Sequence, residues 1–398
     1  MQGLHVQIGQ LRHQLEEIGG TWGWREASTP ATGTDAMRRR ELLKTVAGLG
    51  AFALPGLGWA LPGWPRASWV FSAVDDTEGR HYLQAVSIEA GRAFRIAVPE
   101  RCHGGCLRPG STQAVLFARR PGRSLHVIDG DARAEVARVD AGPGHHFYGH
   151  GVFETSGRYL YVTANRIEDA AGLVRVYDAE RDYAHCHDLP LDGIGPHELR
   201  LMPDGRTLAI ALGGIHTHPD YGRAKLNLDV MAPALMLLDR ESGEITARHA
   251  PSHHQLSCRH LDVATDGTVI AGYQYQGAEW ERRPLLARLS PQGDFTEIEL
   301  PGPLTDELRQ YTASIAIARS TPRALITAPR GHRVLLIDSR DGRLLASHHL
   351  PDAAGARCDG QSDFLVSSGR GGLYRVGGDG SAPQALESLA IRWDNHLT

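Results

Sequence analysis

His103, His150 and His197 stand 47 residues apart, and each opens a run of four short strand-like segments separated by turns. The unit is clearest after His150. His150-Gly151-Val152-Phe153-Glu154 leads to a Ser156-Gly157 turn and then to Tyr159-Leu160-Tyr161-Val162-Thr163. Leu173-Val174-Arg175-Val176-Tyr177-Asp178 follows, then a polar turn and residues 184–189. The same order recurs after His197, after His260 and from Ser314. Third segments end in aspartate (Asp129, Asp178, Asp239, Asp338), a residue that starts turns by bonding its own backbone two positions on. A period in the forties with four short strands is the mark of a propeller. Strands of about five residues cannot bury two faces alone. Stacking the blades buries them, and closing the ring protects the edges.

Six such units run from residue 103 to about residue 390. Left over are three strand-like segments before them, at 69–74, 82–88 and 93–98, and one after them, Ile391-Arg392-Trp393-Asp394-Asn395-His396. Three and one make a seventh blade. The chain is therefore expected to be all-β, a seven-bladed β-propeller over residues 67–398, its last blade closed by three N-terminal strands plus the C-terminal strand. We number the blades from the one that starts at His103, so the closing blade is the seventh.

Residues before the propeller read as an address. Met37-Arg38-Arg39-Arg40-Glu41-Leu42-Leu43-Lys44 has the paired arginines, hydrophobes and lysine of a twin-arginine signal, and an apolar stretch follows at 45–59. Gly58-Trp59-Ala60 offers small residues for cleavage near Ala60. Pro55 and several glycines interrupt the stretch, which is too short to serve as a stable membrane anchor. Residues 37–60 are thus expected to be a signal peptide, and the mature protein periplasmic. Residues 1–36 precede any signal of ordinary length and are expected to be a misassigned start or a disordered leader. The five cysteines are an odd number, which leaves at least one unpaired in an oxidising compartment.

Of the 21 histidines, five fall at one position of the repeat: His103, His150, His197, His260 and His396, each where the chain approaches its inner strand. Blades seven, one, two, three and four then present histidine as a contiguous arc at one mouth of the central channel. Blade five offers residues 311–314 there, and blade six Cys358, Asp359 and Gln361. Neutral imidazole is a ligand for zinc, copper and iron. The five are expected to hold such an ion, a haem or an anion, to serve acid–base catalysis, or to form a structural hydrogen-bonded network. A channel seven blades wide suggests ligands from adjacent blades, His150 and His197 first, with His216 or His218 dropping from the inserted loop and the rings partly open to solvent.

Two loops elaborate the same face. One is Gly144-His145-His146-Phe147-Tyr148-Gly149; the other, at 213–229, splits blade three between its second and third strands. Long insertions in regular repeats are usually functional or disordered. His216, His218, Arg223 and Lys225 are placed to lean over the channel beside His197, the basic pair suiting a carboxylate or phosphate. Glu198, Asp359 and Asn395 are the suitably placed hard ligands. The alternative is a loop that only packs on its neighbour. A net charge of −4 gives no basic footprint for nucleic acid.

Several motifs resemble the domain-of-unknown-function family 1513: Phe147-Tyr148-Gly149-His150-Gly151, Gly195-Pro196-His197-Glu198-Leu199, and the run from Gly213-Gly214 through His218-Pro219 to Lys225-Leu226-Asn227-Leu228-Asp229. Arg259-His260-Leu261, Ser367-Ser368-Gly369-Arg370-Gly371 and Trp393-Asp394-Asn395-His396 share the likeness. The resemblance implies a bacterial periplasmic propeller of the quinoprotein amine-dehydrogenase-like or YVTN-type superfamily. It also implies neighbours among imelysin-like iron-uptake proteins and dihaem peroxidase-like proteins, and it carries no assigned activity. Cys102 and Cys106 flank His103 where the family pattern has small residues, which leaves a local disulfide open.

Three functions follow as expectations. The first is a metal-binding, iron-linked accessory protein using iron, copper or zinc, with periplasmic iron-uptake or haem proteins as partners. The second is a propeller enzyme, either a metal-dependent hydrolase or an oxidoreductase subunit. The third is a passive docking scaffold, since fold alone does not fix function.

Overall fold

Strand Gln113–Ala118 shows why this sequence folds as stacked blades. It is apolar at every position after Gln113, because Val115 and Phe117 pack into blade two while Ala114, Leu116 and Ala118 pack into blade seven. A strand buried on both faces needs apolar residues at both alternations. The outermost strand of the same blade, Ala134–Asp140, alternates exposed and half-buried positions instead. The core is accordingly divided into wedges between neighbouring blades.

The structure is a computed structural model and describes residues 69–398 except 120, 121 and 223. Seven four-stranded antiparallel sheets make up the seven blades expected from the repeat. Inner strands are Cys102–Leu107, His145–Phe153, Pro196–Leu201, Leu256–Val263, Ile315–Ile317 and Ala353–Cys358 for blades one to six. Blade seven takes its inner strand from Ile391–Trp393, paired antiparallel with Val70–Asp76. Two reciprocal bonds of 2.8 Å between the Phe71 and Thr398 backbones, and Ser72 Oγ donating to the His396 carbonyl at 2.6 Å, extend this seam. The turn-forming aspartates act as expected: Asp129, Asp178, Asp239 and Asp338 each accept backbone N–H bonds from the turn that follows.

The twin-arginine segment and the leader before it lie outside the described residues. Among the described residues no helix is long and apolar enough to cross a membrane. Blade six departs from the register its sequence suggests. Cys358 ends its inner strand rather than beginning it, and lines the opposite mouth of the channel with Arg200 and Arg357, with Asp359 just beyond. A break in the ladder between Ala353 and Ala356 shifts that strand, so Gly355 occupies the stretch nearest the histidines. Its added Cβ would meet the His396 carbonyl carbon at 2.5 Å.

Candidate metal centre in the channel

The histidines point inward because their strands bulge. In blades one to four the ladder between inner and second strand is interrupted between Cys102 and Gly105, Phe147 and Gly151, Pro196 and Glu198, and Cys258 and His260. Each break contains or adjoins the histidine. A bulge bends its strand and re-aims a side chain out of the alternating pattern. Gly104 clears the space for His150: a Cβ there would sit 2.6 Å from His150 Cδ2 and from the Gly149 carbonyl. Gly149 itself has φ +100°, a conformation that favours glycine.

The five rings meet. Taken in the order His103, His150, His197, His260, His396 and back to His103, successive ring centroids lie 4.5–5.0 Å apart. His103 and His260 approach to 6.5 Å across the group. Rings from non-adjacent blades meet as well as those from adjacent ones, because inward bulges and side chains as long as imidazole span the channel. None of the five is more than 9% exposed, where partly open rings were expected.

Two carboxylates orient the group. His103 Nδ1 bonds Asp394 Oδ1 at 2.5 Å, and His260 Nδ1 bonds Glu198 Oε2 at 3.0 Å. An ionised carboxylate only accepts, so each of these Nδ1 atoms carries a proton, which directs any metal to the opposite nitrogen, Nε2. A carboxylate bonded to Nδ1 in this way orients a histidine for metal binding. Each carboxylate is in turn held by arginine: Arg101 lies 2.6 Å from Asp394, and Arg200 lies 2.6 Å from Glu198. Burial alone would raise both carboxyls. Neighbouring positive groups outweigh it, holding Asp394 well below the usual range and Glu198 at about 2. Burial is the largest influence on the imidazoles and pushes them in the other direction, and neighbouring positive groups reinforce it. His103 falls to about 4 despite Asp394, and His150, His197 and His396 lie well below their ordinary value. His103, which hydrogen-bonds Asp394, is the largest of the groups that hold its carboxyl low, and Arg101 and Arg119 add to it.

Donor atoms from His150, Glu198, His260 and His396 all lie within 4.8 Å of one another, and so do donor atoms from His103, His150 and His197. His150 belongs to both groups. Its Nε2 faces His396 Nε2 at 3.1 Å, while its Nδ1 and that of His197 are buried with no partner among the described residues. Two ligands on one tetrahedral ion at 2.0–2.2 Å stand about 3.3–3.6 Å apart, so the 3.1 Å pair is close to ligand spacing. Buried imidazole nitrogens without partners are costly in an apo protein. A transition metal fits these residues.

The inserted loop behaves differently. Asn227 ties its neck, accepting from the His216 backbone at 2.7 Å and donating to the Gly214 carbonyl at 2.9 Å. His216 and His218 join neither donor group; the His218 ring packs instead on Tyr221. Arg223 lies outside the described residues. Lys225 reaches blade four, bonding Gln276 Oε1 at 2.5 Å, and lines a cavity of about 400 Å³ that opens onto His103, His197 and His260. Asn395 stands beside this cavity, 3.5 Å from the Tyr311 hydroxyl. Sequence reasoning missed Asp394, Arg119, Arg259 and Arg330. Asp394 had a signal, an acid two residues before a channel histidine. Cys102 and Cys106 are free thiols. They sit in different interblade wedges, which is why the local disulfide does not form.

A comparison with curated proteins finds no match. Among solved structures the chain is similar to Kuenenia stuttgartiensis hydrazine synthase, with a TM-score of 0.57 and 14% identity over 80% of this chain and 96% of that one. At that identity the likeness is one of fold. Residues 96–398 match the family described as "Protein of unknown function (DUF1513)", and the chain belongs to that family.

Proposed function

We propose that the protein is a metal-binding propeller that holds a transition metal (iron, copper or zinc) between the channel histidines. On this reading it serves iron handling in the periplasm. The observation that carries the metal is the buried group of His150, Glu198, His260 and His396, with donor atoms within 4.8 Å of one another. Three imidazoles and one carboxylate favour these metals over calcium or magnesium, which prefer all-oxygen shells. Asp394 would orient His103, and Glu198 would orient His260 or itself contribute an oxygen. The iron-linked role and its partners, imelysin-like iron-uptake or haem proteins, rest on the family resemblance. Export rests on Arg39 and Arg40 before the apolar stretch.

Metal analysis of protein purified after export from its native host tests the reading. About one equivalent of metal is expected. Replacing His150 and His197 together by Ala should remove it while a cooperative melting transition remains. A metal-free wild type, or a full load in the double variant, would overturn the proposal. A second reading, an enzyme acting on an anion at the metal, is favoured by the basic cavity that opens on three of the histidines.

A further inference from the structure

We infer that the cavity above the histidines is a binding site for a small polycarboxylate, a di- or tricarboxylate anion. Its described lining carries four cationic side chains, Arg119, Lys225, Arg259 and Arg330, and one carboxylate, Glu279. The four cations come from four parts of the ring. Arg119 follows the second strand of blade one, Lys225 belongs to the insertion of blade three, Arg259 lies in the inner strand of blade four, and Arg330 follows the second strand of blade five. Positive charge is thus distributed around the cavity, whereas the protein as a whole is net negative at −4.

A concave wall of one sign focuses the field and concentrates the opposite charge. Guanidinium groups bind carboxylates through paired N–H bonds, each group engaging one carboxylate. Cations set on several blades therefore match a ligand with several separated anionic groups better than a single phosphate. The volume of about 400 Å³ lies at the lower end of the range for small-ligand pockets, about 300–1,000 Å³. Some cations also have roles within the protein: Arg330 stacks over the Tyr311 ring at 4.3 Å, and Arg119 lies 3.9 Å from Asp394. These contacts fix the side chains at the cavity wall. The floor is formed by His103, His197 and His260, so a bound carboxylate would lie next to the metal of the proposed function. The anion site stands on the lining charges and does not require that metal.

Calorimetric titration of the full propeller at low salt tests this, with citrate as the probe and succinate, acetate and inorganic phosphate as comparators. It is run on metal-free and metal-loaded protein. Citrate is expected to bind tightest, with affinity falling as sodium chloride rises. Arg259→Gln with Arg330→Gln should weaken citrate at least about 10-fold, the size of losing one charge-assisted pair, while the melting temperature holds. Citrate no tighter than acetate, phosphate tighter than citrate, or an unchanged affinity in the double variant would each overturn the inference. Citrate binding by a protein that takes up no metal would sink the metal reading and leave this one standing; metal uptake without citrate binding would do the reverse.

Discussion

His150 and His396 face each other Nε2 to Nε2 at 3.1 Å, although 246 residues separate them in the chain. One belongs to an inner strand in mid-ring and the other follows the strand that closes the ring. Their contact ties the centre both to the mid-ring strand and to the segment that closes the ring.

Gly104→Ala should disturb the centre without replacing a ligand. The new Cβ would lie 2.6 Å from both His150 Cδ2 and the Gly149 carbonyl, so ring or backbone must move. Overpacking of this kind costs about 1–3 kcal/mol. Denaturant midpoints and metal content measured side by side check it. Wild-type values for both would show that the space is larger than the geometry indicates.

Acid should destabilise the metal-free protein in two steps. His103, His150, His197 and His396 resist protonation when folded but take up protons near pH 6.5 when unfolded. Their contribution is full above about pH 6.5 and is lost as pH falls toward about 4, the value His103 reaches. The slope is about 1.4 kcal/mol per pH unit for each proton bound only by the unfolded chain. Glu198 and Asp394 are held low in the folded state, so their contribution disappears below about pH 4, in the same direction. Urea unfolding between pH 7.5 and pH 4.5 reads the first step, and a flat midpoint across that interval contradicts it.

Deleting residues 391–398 should abolish cooperative folding. It removes buried Trp393 and Leu397 and leaves the edge of Val70–Asp76 unpaired. Trp393→Ala is the milder form, with an expected loss of about 3–5 kcal/mol. Calorimetry distinguishes the cases: a truncated chain that melts at the wild-type temperature rules out a structural role for the seam.

Replacing Arg39 and Arg40 by Lys should leave the precursor in the cytoplasm. Cell fractionation followed by immunoblotting measures this. Normal delivery of the double variant to the periplasm would remove the twin-arginine reading.

The ring was legible because its signal repeats. His103, His150 and His197 mark a period that no single strand could show, and the unmatched segments at the two ends account for the seventh blade. What repetition did not mark was lost. Arg119 and Arg330 follow second strands, where no periodic residue points to the cavity, and they become neighbours only through the ring. Arg259 was visible beside His260, but its direction depends on a bulge that strand alternation does not predict. The same irregularity in blade six carried Cys358 to the far mouth. His216 and His218 were misjudged because loop residues obey local bonds, here those of Asn227, rather than the geometry of the repeat.

The closing segment works as a clasp whose tongue also reaches the lock. Asp394 and His396 lie just after the residues that pair with Val70–Asp76, so the segment that shuts the circle also supplies one donor at its axis, His396, and the carboxylate that holds His103. A circle sprung open at this joint would forfeit its edge and its centre in one event. An ion gripped between His396 and His150 would act as a rivet, obliging any unzipping that begins at the joint to break coordinate bonds first. Such a rivet would slow unfolding even where equilibrium stability changed little, and resistance to proteolysis over hours would be its outward sign.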